Sequence, residues 1–413
     1  MQEASPKYIV GIDIGTTKVR CVVGHVDSTT GHPTIVGVGV ANNSGMRKGN
    51  VVNLEGPAQA IDEALEEAER MSGYQIDAAT FSINGSHITS TRSDGMIAVG
   101  NNSHEITEDD IARIEEVATL GKIPANREIL EVVPHSYKLD DQDNIKNPIG
   151  MVGNRLEIDA HVVSVLTPHL VNLQKVGELT KVIPNLIVVA GVAAARAVLT
   201  EQQIENGVAL IDIGGSTTNV AVYEEGDLQF CAVIPMGGIN ITNDLAIGLK
   251  IDPEIAEELK IKHASAIRRR EKSGLSLEFK KEIYSFETSD IDEIVDARLE
   301  EIFEAVNREL KRAGRSGKLP SGVVLTGGTA NLSGITDYAK ETLGLAAKIG
   351  KASGYGGVVD DASKPQMATA VGLMLIDSEP KYRNNTPMKN NGGSKIFSNG
   401  AGAISKLLSR FKV

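Results

Sequence analysis

Tyr8-Ile-Val-Gly-Ile-Asp13-Ile-Gly15-Thr16-Thr17-Lys18-Val-Arg-Cys-Val-Val-Gly24 is an apolar run, an Asp-Ile-Gly turn with hydroxyl residues, and a second apolar run. Strand, glycine turn, strand is the pattern of a β-hairpin. The arrangement returns as Val208-Ala-Leu-Ile-Asp212-Ile-Gly214-Gly215-Ser216-Thr217-Thr218-Asn-Val-Ala-Val-Tyr223. The two aspartates stand 199 positions apart, so the chain reads as two similar halves.

Outward from the hairpins, helical patterns alternate with strand patterns, as in α/β layers. Residues 56–70 place Ala60, Ile61, Ala64, Leu65 and Ala68 on one helical face. Residues 80–83 and 323–326 read as short buried strands. Residues 290–312 read as a long charged helix whose apolar stripe holds Ile291, Ile294, Val295, Leu299, Ile302, Val306 and Leu310. At residues 381–400 the composition turns to Asn, Gly, Lys and Ser, a disordered linker.

With 413 residues the chain exceeds one ordinary domain, and 41% hydrophobic against 23% charged residues can bury a core. Two cysteines, Cys21 and Cys231, make no disulfide framework and fit a reducing compartment. The net charge of −12 argues against nucleic acid as a partner. That total is uneven, because the seven basic and no acidic residues of 381–413 leave −19 on the rest. An acidic body with a basic tail points to an anionic surface for the tail. The longest uncharged apolar run, 182–195, is too short to span a bilayer and contains Pro184 and Asn185. The start, MQEASPK, lacks a signal peptide's basic and apolar regions, so the expectation is a cytoplasmic protein.

Phosphate needs backbone N–H donors at close range, which glycine permits because it has no Cβ. Gly15, Thr16 and Thr17 offer this in the first hairpin, and Gly214, Gly215, Ser216 and Thr217 in the second; Lys18 adds a point charge. Asp13 and Asp212 suit another task, holding the water shell of Mg²⁺. Either hairpin alone is equally a tight turn whose Asp caps the backbone. A third glycine turn, with Gly327, Gly328 and Asn331, follows a strand and precedes a helix, as a nucleotide-contacting turn would. No GxxxxGK[ST] occurs, so a Walker-type site is unsupported.

Three such turns in this order resemble the actin, sugar kinase and heat-shock chaperone ATPase superfamily, whose two lobes close around Mg–ATP. Further stretches resemble the FtsA family of actin-like bacterial cell-division proteins: Gly45-Met-Arg-Lys-Gly49-Asn-Val-Val-Asn53, Asn84-Gly-Ser-His-Ile88, and Arg155-Leu-Glu-Ile-Asp-Ala-His161. The resemblance covers most of residues 7–380. It implies an actin-like, ribonuclease H-like two-lobe α/β fold with an FtsA-type 1C subdomain. Subdomain 1A would take residues 1–84 and 163–200 and a closing helix at 367–380. Subdomain 1C would take 85–162, 2A would take 201–247 and 319–366, and 2B would take 248–318. His87, His135 and His161, in or beside 1C, read as packing or surface residues rather than metal ligands, and Thr107 as a helix N-cap.

Gly237 and Gly238 resemble the family's segment near the terminal phosphate, with Asn240 in place of the usual histidine. Glu257 and Lys260 resemble its adenosine-bracketing pair, and read without the family they are equally a surface ion pair. Arg298 and Glu301 match positions that receive the C-terminal peptide of FtsZ, and subdomain 1C implies contacts with other division proteins and along a filament of the chain itself. The segment 189–194 has no acidic residue where the chaperones carry one that positions water. The expectation is therefore ATP binding with slow or no turnover, with Asp13 and Asp212 acting only through metal-bound water.

In residues 401–413, Ile404, Leu407, Leu408 and Phe411 form one helical stripe, flanked by Lys406, Arg410 and Lys412. This is a helix for an anionic membrane interface, about 20 Å long at its helical rise. A leash averaging roughly 25 Å joins it to the body. The reading is a peripheral protein at the cytoplasmic face of the cell membrane at midcell, polymerising there and anchoring FtsZ. Its alternatives are a type IV pilus-assembly scaffold of the same fold and a phosphotransferase or chaperone ATPase.

Overall fold

In the computed structural model the described residues are 8–379, except 28, 101–103, 270–272 and 358–359. The linker expected at 381–400 and the helix expected at 401–413 lie outside them.

The first lobe begins with the hairpin β1 (Tyr8–Ile14) and β2 (Lys18–Val26), which β3 (Pro33–Asn42) extends; the small pair β4 (Met46–Arg47) and β5 (Asn50–Val51), helix α1 (Glu55–Ser72) and β6 (Ala78–Ile83) follow. The chain then makes an inserted sheet from β7 (Thr89–Ala98), helix α2 (Glu108–Thr119), β8 (Arg127–Leu139), β9 (Gln142–Ile145) and β10 (Arg155–Leu166). It returns through α3 (Thr167–Thr180), β11 (Ile183–Val189), α4 (Ala190–Val198) and α5 (Glu201–Asn206). The second lobe holds β12 (Val208–Ile213), β13 (Thr218–Glu224), β14 (Asp227–Ile234), α6 (Gly238–Leu249), α7 (Pro253–His263), β15 (Gly274–Phe279) and β16 (Glu282–Glu287). It ends with α8 (Thr288–Arg312), β17 (Val323–Thr326), α9 (Ile335–Leu343) and β18 (Ala347–Ile349), and α10 (Ala368–Asp377) closes back onto the first lobe.

The two halves share one topology. The sheets run β3-β2-β1-β6-β11 and β14-β13-β12-β17-β18. In each, an antiparallel hairpin is joined by a parallel strand, and the registers match: Asp13 faces Arg20, and Asp212 faces Asn219. The repeat seen in sequence is thus a repeat of pairing.

Helix α1 buries its Ala60, Ile61, Ala64, Leu65 and Ala68 face as the spacing predicts. It sits so close to β3 that a Cβ on Gly39 would meet the Ala64 carbonyl oxygen at 1.8 Å. The stripe of α8 is buried at Ile291, Val295, Leu299, Ile302, Val306 and Leu310, with Ile294 half-buried. Thr107 caps α2 in a capping box with Asp110. The apolar run 182–195 divides into β11 and α4, because Pro184 tolerates a strand and Ala-rich 190–198 favours a helix. Among the described residues no helix is long and apolar enough to cross a membrane.

All ten residues of α10 are buried, against β1 and α4. A Cβ on Gly372 would lie 1.7 Å from the Ala193 carbonyl oxygen, so only glycine permits this approach. At its end the buried Asp377 carboxylate accepts from Val10 N at 2.9 Å, Thr80 Oγ1 at 2.9 Å and Asn185 Nδ2 at 3.4 Å. One side chain thereby ties the helix to β1, β6 and β11.

Candidate functional site

The two hairpin turns close in the same way: Gly15 N donates to Lys18 O at 3.1 Å, and Gly214 N donates to Thr217 O at 2.8 Å. Their tips meet across the interlobe cleft, where Ser216 Oγ donates to Thr16 Oγ1 at 2.7 Å. A Cβ on Gly215 would come within 2.8 Å of the Thr17 methyl. Asn84 at the end of β6 donates to Thr217 Oγ1 at 3.1 Å.

The remaining glycine segments converge on the second hairpin. The Gly214 carbonyl accepts from Gly238 N at 2.9 Å and from Thr329 Oγ1 at 3.1 Å. Gly237 packs so that a Cβ would meet Gly214 O at 2.5 Å. Gly327, with φ +87°, puts its Cα against Asp212: a Cβ there would lie 2.4 Å from Oδ1. Asn240 Oδ1 accepts from Gly237 N at 3.0 Å and so holds the start of α6.

Asp13 and Asp212 end the first strand of each hairpin near enough for the charge of one to act on the other. Ser82 Oγ donates to Asp13 Oδ1 at 3.0 Å, and Arg20 stands 3.7 Å from Oδ2. Burial raises the Asp13 carboxyl above the usual range, offset in part by Arg20 and Ser82. Burial, then the charge of Asp13, pushes Asp212 up to about 7, against a hydrogen bond from Asn219 Nδ2. Asn219 Oδ1 is left buried and without a partner. Two repelling carboxylates beside an orphaned acceptor fit a hydrated divalent cation, which keeps several waters and binds through few carboxylates. Among the described residues no group of three or more His, Cys, Asp or Glu could hold a metal directly.

Lys260 Nζ lies 2.6 Å from Glu257 Oε2 and donates to Gly238 O at 3.2 Å and Thr242 Oγ1 at 2.9 Å. The pair is therefore joined to the glycine segment and is more than a surface ion pair. Lys18 is exposed at the start of β2. Asn331 is exposed and donates to Gly328 O and Gln366 Oε1, at 3.0 and 2.9 Å. The site thus draws in Gly15, Thr16, Thr17, Gly214, Gly215, Ser216, Thr217, Gly237, Gly238, Lys260 and Gly327, with Lys18 and Asn331 at its rim.

Four contributors escaped the reading of the sequence: Ser82, Thr242, Thr329 and Asn219. Ser82 has a signal, because it and Thr80 are polar residues in a strand that is otherwise apolar and buried. Away from the cleft, Arg298 pairs with Glu301 at 2.6 Å and also forks onto Asp244 of α6, at 2.5 and 3.0 Å. It is not a solvated pair alone, because its guanidinium also fastens α8 to α6. His87 stacks on His169 at 4.0 Å and His135 on His161 at 5.4 Å.

Two family profiles match this chain: "Cell division protein FtsA" over residues 209–372 and "SHS2 domain inserted in FTSA" over residues 85–164. Among solved structures, a PilM–PilN type IV pilus biogenesis complex aligns with TM-score 0.65 at 16% identity, covering 90% of this chain and 99% of that one. MreB5 of Spiroplasma citri, solved bound to ADP, aligns with TM-score 0.55 at 14% identity, covering 92% and 99%. These likenesses establish the actin-like fold. The cell division protein FtsA of Pseudomonas aeruginosa is 36% identical over 375 residues, 90% of this chain and 89% of the relative. With that identity over nearly the whole of both chains, and with both halves of the family's pattern present, the chain belongs to the FtsA family of actin-like cell-division proteins.

Proposed function

We propose that the chain binds Mg–ATP between its lobes, polymerises on the inner membrane face and anchors FtsZ filaments there through its C-terminal segment. The observation that carries the nucleotide part is the convergence of Gly237–Gly238 and Gly327 on the second hairpin turn, whose tip meets that of the first, with Asp13 and Asp212 near enough for the charge of one to raise the other. Backbone donors of Gly15–Thr17 and Gly214–Thr217 would hold the phosphates, replacing the direct Ser216–Thr16 contact. Asp13 and Asp212 would hold the waters of Mg²⁺, and Glu257 with Lys260 would flank the adenosine. The metal supplies charge neutralisation of the phosphates. The start of α4 brings Gly191 against Asn219 with no carboxylate in that turn, which supports slow or no hydrolysis.

The membrane part rests on residues 401–413 and their stripe of Ile404, Leu407, Leu408 and Phe411. The deciding experiment is co-sedimentation with anionic liposomes, with and without ATP and the C-terminal peptide of FtsZ. The full chain should pellet with the vesicles, and Phe411→Glu should leave most of it in the supernatant. Equal pelleting of the two would remove the membrane assignment.

For FtsZ, the site is the outer face of α8. Arg298→Gln should weaken binding of the FtsZ peptide at least about tenfold, as loss of a central arginine anchor does. Mg–ATP affinity should stay as in the parent, and an unchanged peptide titration would place the FtsZ site elsewhere. Membership in a cell-division family favours this reading over a pilus scaffold, whose structural likeness rests on fold alone.

A further inference from the structure

Beside the first hairpin turn the chain makes a short second one, β4–β5. Met46 pairs with Val51 and Arg47 with Asn50, so Lys48 and Gly49 are the whole turn. Both have positive φ, +49° and +79°, which makes it a type I′ turn. Such a turn favours Asn-Gly, Asp-Gly or Gly-Gly, and a lysine in its first place is held in a conformation that a residue with a Cβ resists. Lys181 and Lys250 adopt this conformation at helix C-caps, and Lys280 in the turn between β15 and β16. Lys280 is neutralised there by Glu254 at 2.6 Å. Lys48 is exposed, and among the described residues no carboxylate pairs with its ammonium.

What sets Lys48 apart is where its turn is fastened. Gly49 N donates to Thr16 Oγ1 at 3.2 Å. Gly49 is pressed onto the end of β6, where a Cβ would lie 2.8 Å from Gly85 N, and the neighbouring Asn84 reaches Thr217 of the second hairpin turn. Ahead of β4, Asn43 donates to Thr17 O at 2.8 Å through its backbone N–H and to Gly15 O at 2.6 Å through Nδ2. Gly45 O closes the base of the hairpin, accepting from Val52 N and Asn53 N at 2.8 and 3.0 Å, and Met46 and Val51 pack on the core. Lys48 is thus a flexible side chain on a fixed mount.

Its reach can be bounded. Thr16 Oγ1 accepts from Gly49 N and from Ser216 Oγ, which uses its lone pairs and leaves its own O–H to give. Gly49 N is about 2.4 Å from Lys48 Cα, so a phosphate oxygen accepting from Thr16 lies no more than about 8 Å from that Cα. An extended lysine stem of about 6 Å with a hydrogen bond of about 3 Å covers this distance. The adenosine pair Glu257 and Lys260 and the turn at Gly327 belong to the second lobe, so a nucleotide lying on them extends its phosphates towards the first. The terminal phosphate, the end away from the adenosine, then comes to β4–β5. Lys260 and Arg20 already face Glu257 and Asp13, which leaves that phosphate in want of a cation.

We propose that Lys48 reads the terminal phosphate of the bound nucleotide, pairing with it from the β4–β5 turn and so setting a preference for triphosphate over diphosphate. This rests on the reading of the interlobe cleft as a Mg–nucleotide site. An ammonium on a long stem suits a group that is present in one ligand and missing from the other.

The test is isothermal titration of the full chain, with Mg²⁺ present, against ADP and against β,γ-imido-ATP, which keeps the third phosphate and resists hydrolysis. Lys48→Gln should weaken the triphosphate by about tenfold or more, the usual size for one lost charge-assisted hydrogen bond, and leave ADP within about threefold of the parent. Lys48→Arg should keep most of the preference. Arg47→Gln removes the same charge one residue away and should change the ratio of the two affinities by less than about threefold, which separates a contact from a general field. Lys48→Asn installs a residue that the turn favours, so it should lose the preference as Lys48→Gln does, yet melt no lower than the parent without nucleotide. A lower melting point would show that the lysine serves the fold, and would overturn the proposal. So would an unchanged affinity ratio in Lys48→Gln, equal losses for both nucleotides, or an effect of Arg47→Gln as large as that of Lys48→Gln. A parent that binds neither nucleotide overturns the cleft reading and this role with it; a parent that binds both, with Lys48→Gln unaltered, overturns the role of Lys48 alone.

Discussion

Asp212→Asn should melt at a higher temperature than the parent at pH 8 when nucleotide is absent, and at the same time lose most of its response to Mg–ATP. The first effect follows from the carboxyl's displacement. Asp212 titrates near 7 in the fold against 3.8 for an ordinary aspartate, so between these values the folded chain holds a proton that the unfolded chain has released. Stability without a cation therefore falls as pH rises from about 4 to about 7 and stays lowered above that. The amide keeps the shape and removes the charge, so the gain of the variant over the parent should be small at pH 5 and largest at pH 8. The second effect is the loss of an anchor for metal-bound water, for which about 10–100-fold in affinity is the usual size. In the parent, cation binding requires the ionised form, so Mg–nucleotide affinity should weaken as pH drops below 7. Melting curves at pH 5 and 8, with and without Mg–ATP, read all of this. A variant as responsive to Mg–ATP as the parent would remove Asp212 from the site.

Asp377→Ala should be among the most damaging single changes outside the cleft, lowering stability by about 3 kcal/mol or more. Its carboxylate accepts from Val10 N and Thr80 Oγ1 within the packed interior of the first lobe, and from Nδ2 of the exposed Asn185. Truncation leaves Val10 N and Thr80 Oγ1 buried and unmet, and opens a void where α10 meets the sheet. Asp377→Asn preserves the shape and an acceptor, and should cost less. Urea unfolding compares the three; a midpoint for Asp377→Ala within error of the parent would mean the network is hydrated or replaced.

Much of this was legible in the chain because the signals were local. An Asp-Ile-Gly turn between two apolar strands needs only consecutive residues, and it appears twice. The faces of α1 and α8 are fixed by period alone. What escaped depends on residues far apart in sequence. Arg298 and Glu301 are three positions apart, a spacing that sets them on one helix face, but Asp244 lies on another helix and no spacing rule connects it. Thr329 reaches Gly214 across 115 positions. Asp377 did have a signal, a single acid closing an otherwise apolar helix, yet its partners are visible only when β1, β6 and β11 are side by side. Likewise the place of Lys48 exists only because β4 and β5 fold their turn onto Thr16. The sequence shows the lysine and not what it stands beside.

The position of α10 has a mechanical consequence. The chain continues from Glu379, so any tension drawn on residues 380–413 enters the body at the C-terminal end of that helix. It does not peel an edge strand, where hydrogen bonds would fail one at a time. The pull meets Asp377 at once, and through it the load divides among three strands at the middle and side of the sheet, while Glu379 passes a share to α4 through Arg196 at 3.4 Å. Bonds loaded in parallel in this way resist force together. The end of α10 is thus riveted to three strands and to α4 at once, the anchorage that the proposed tether would need.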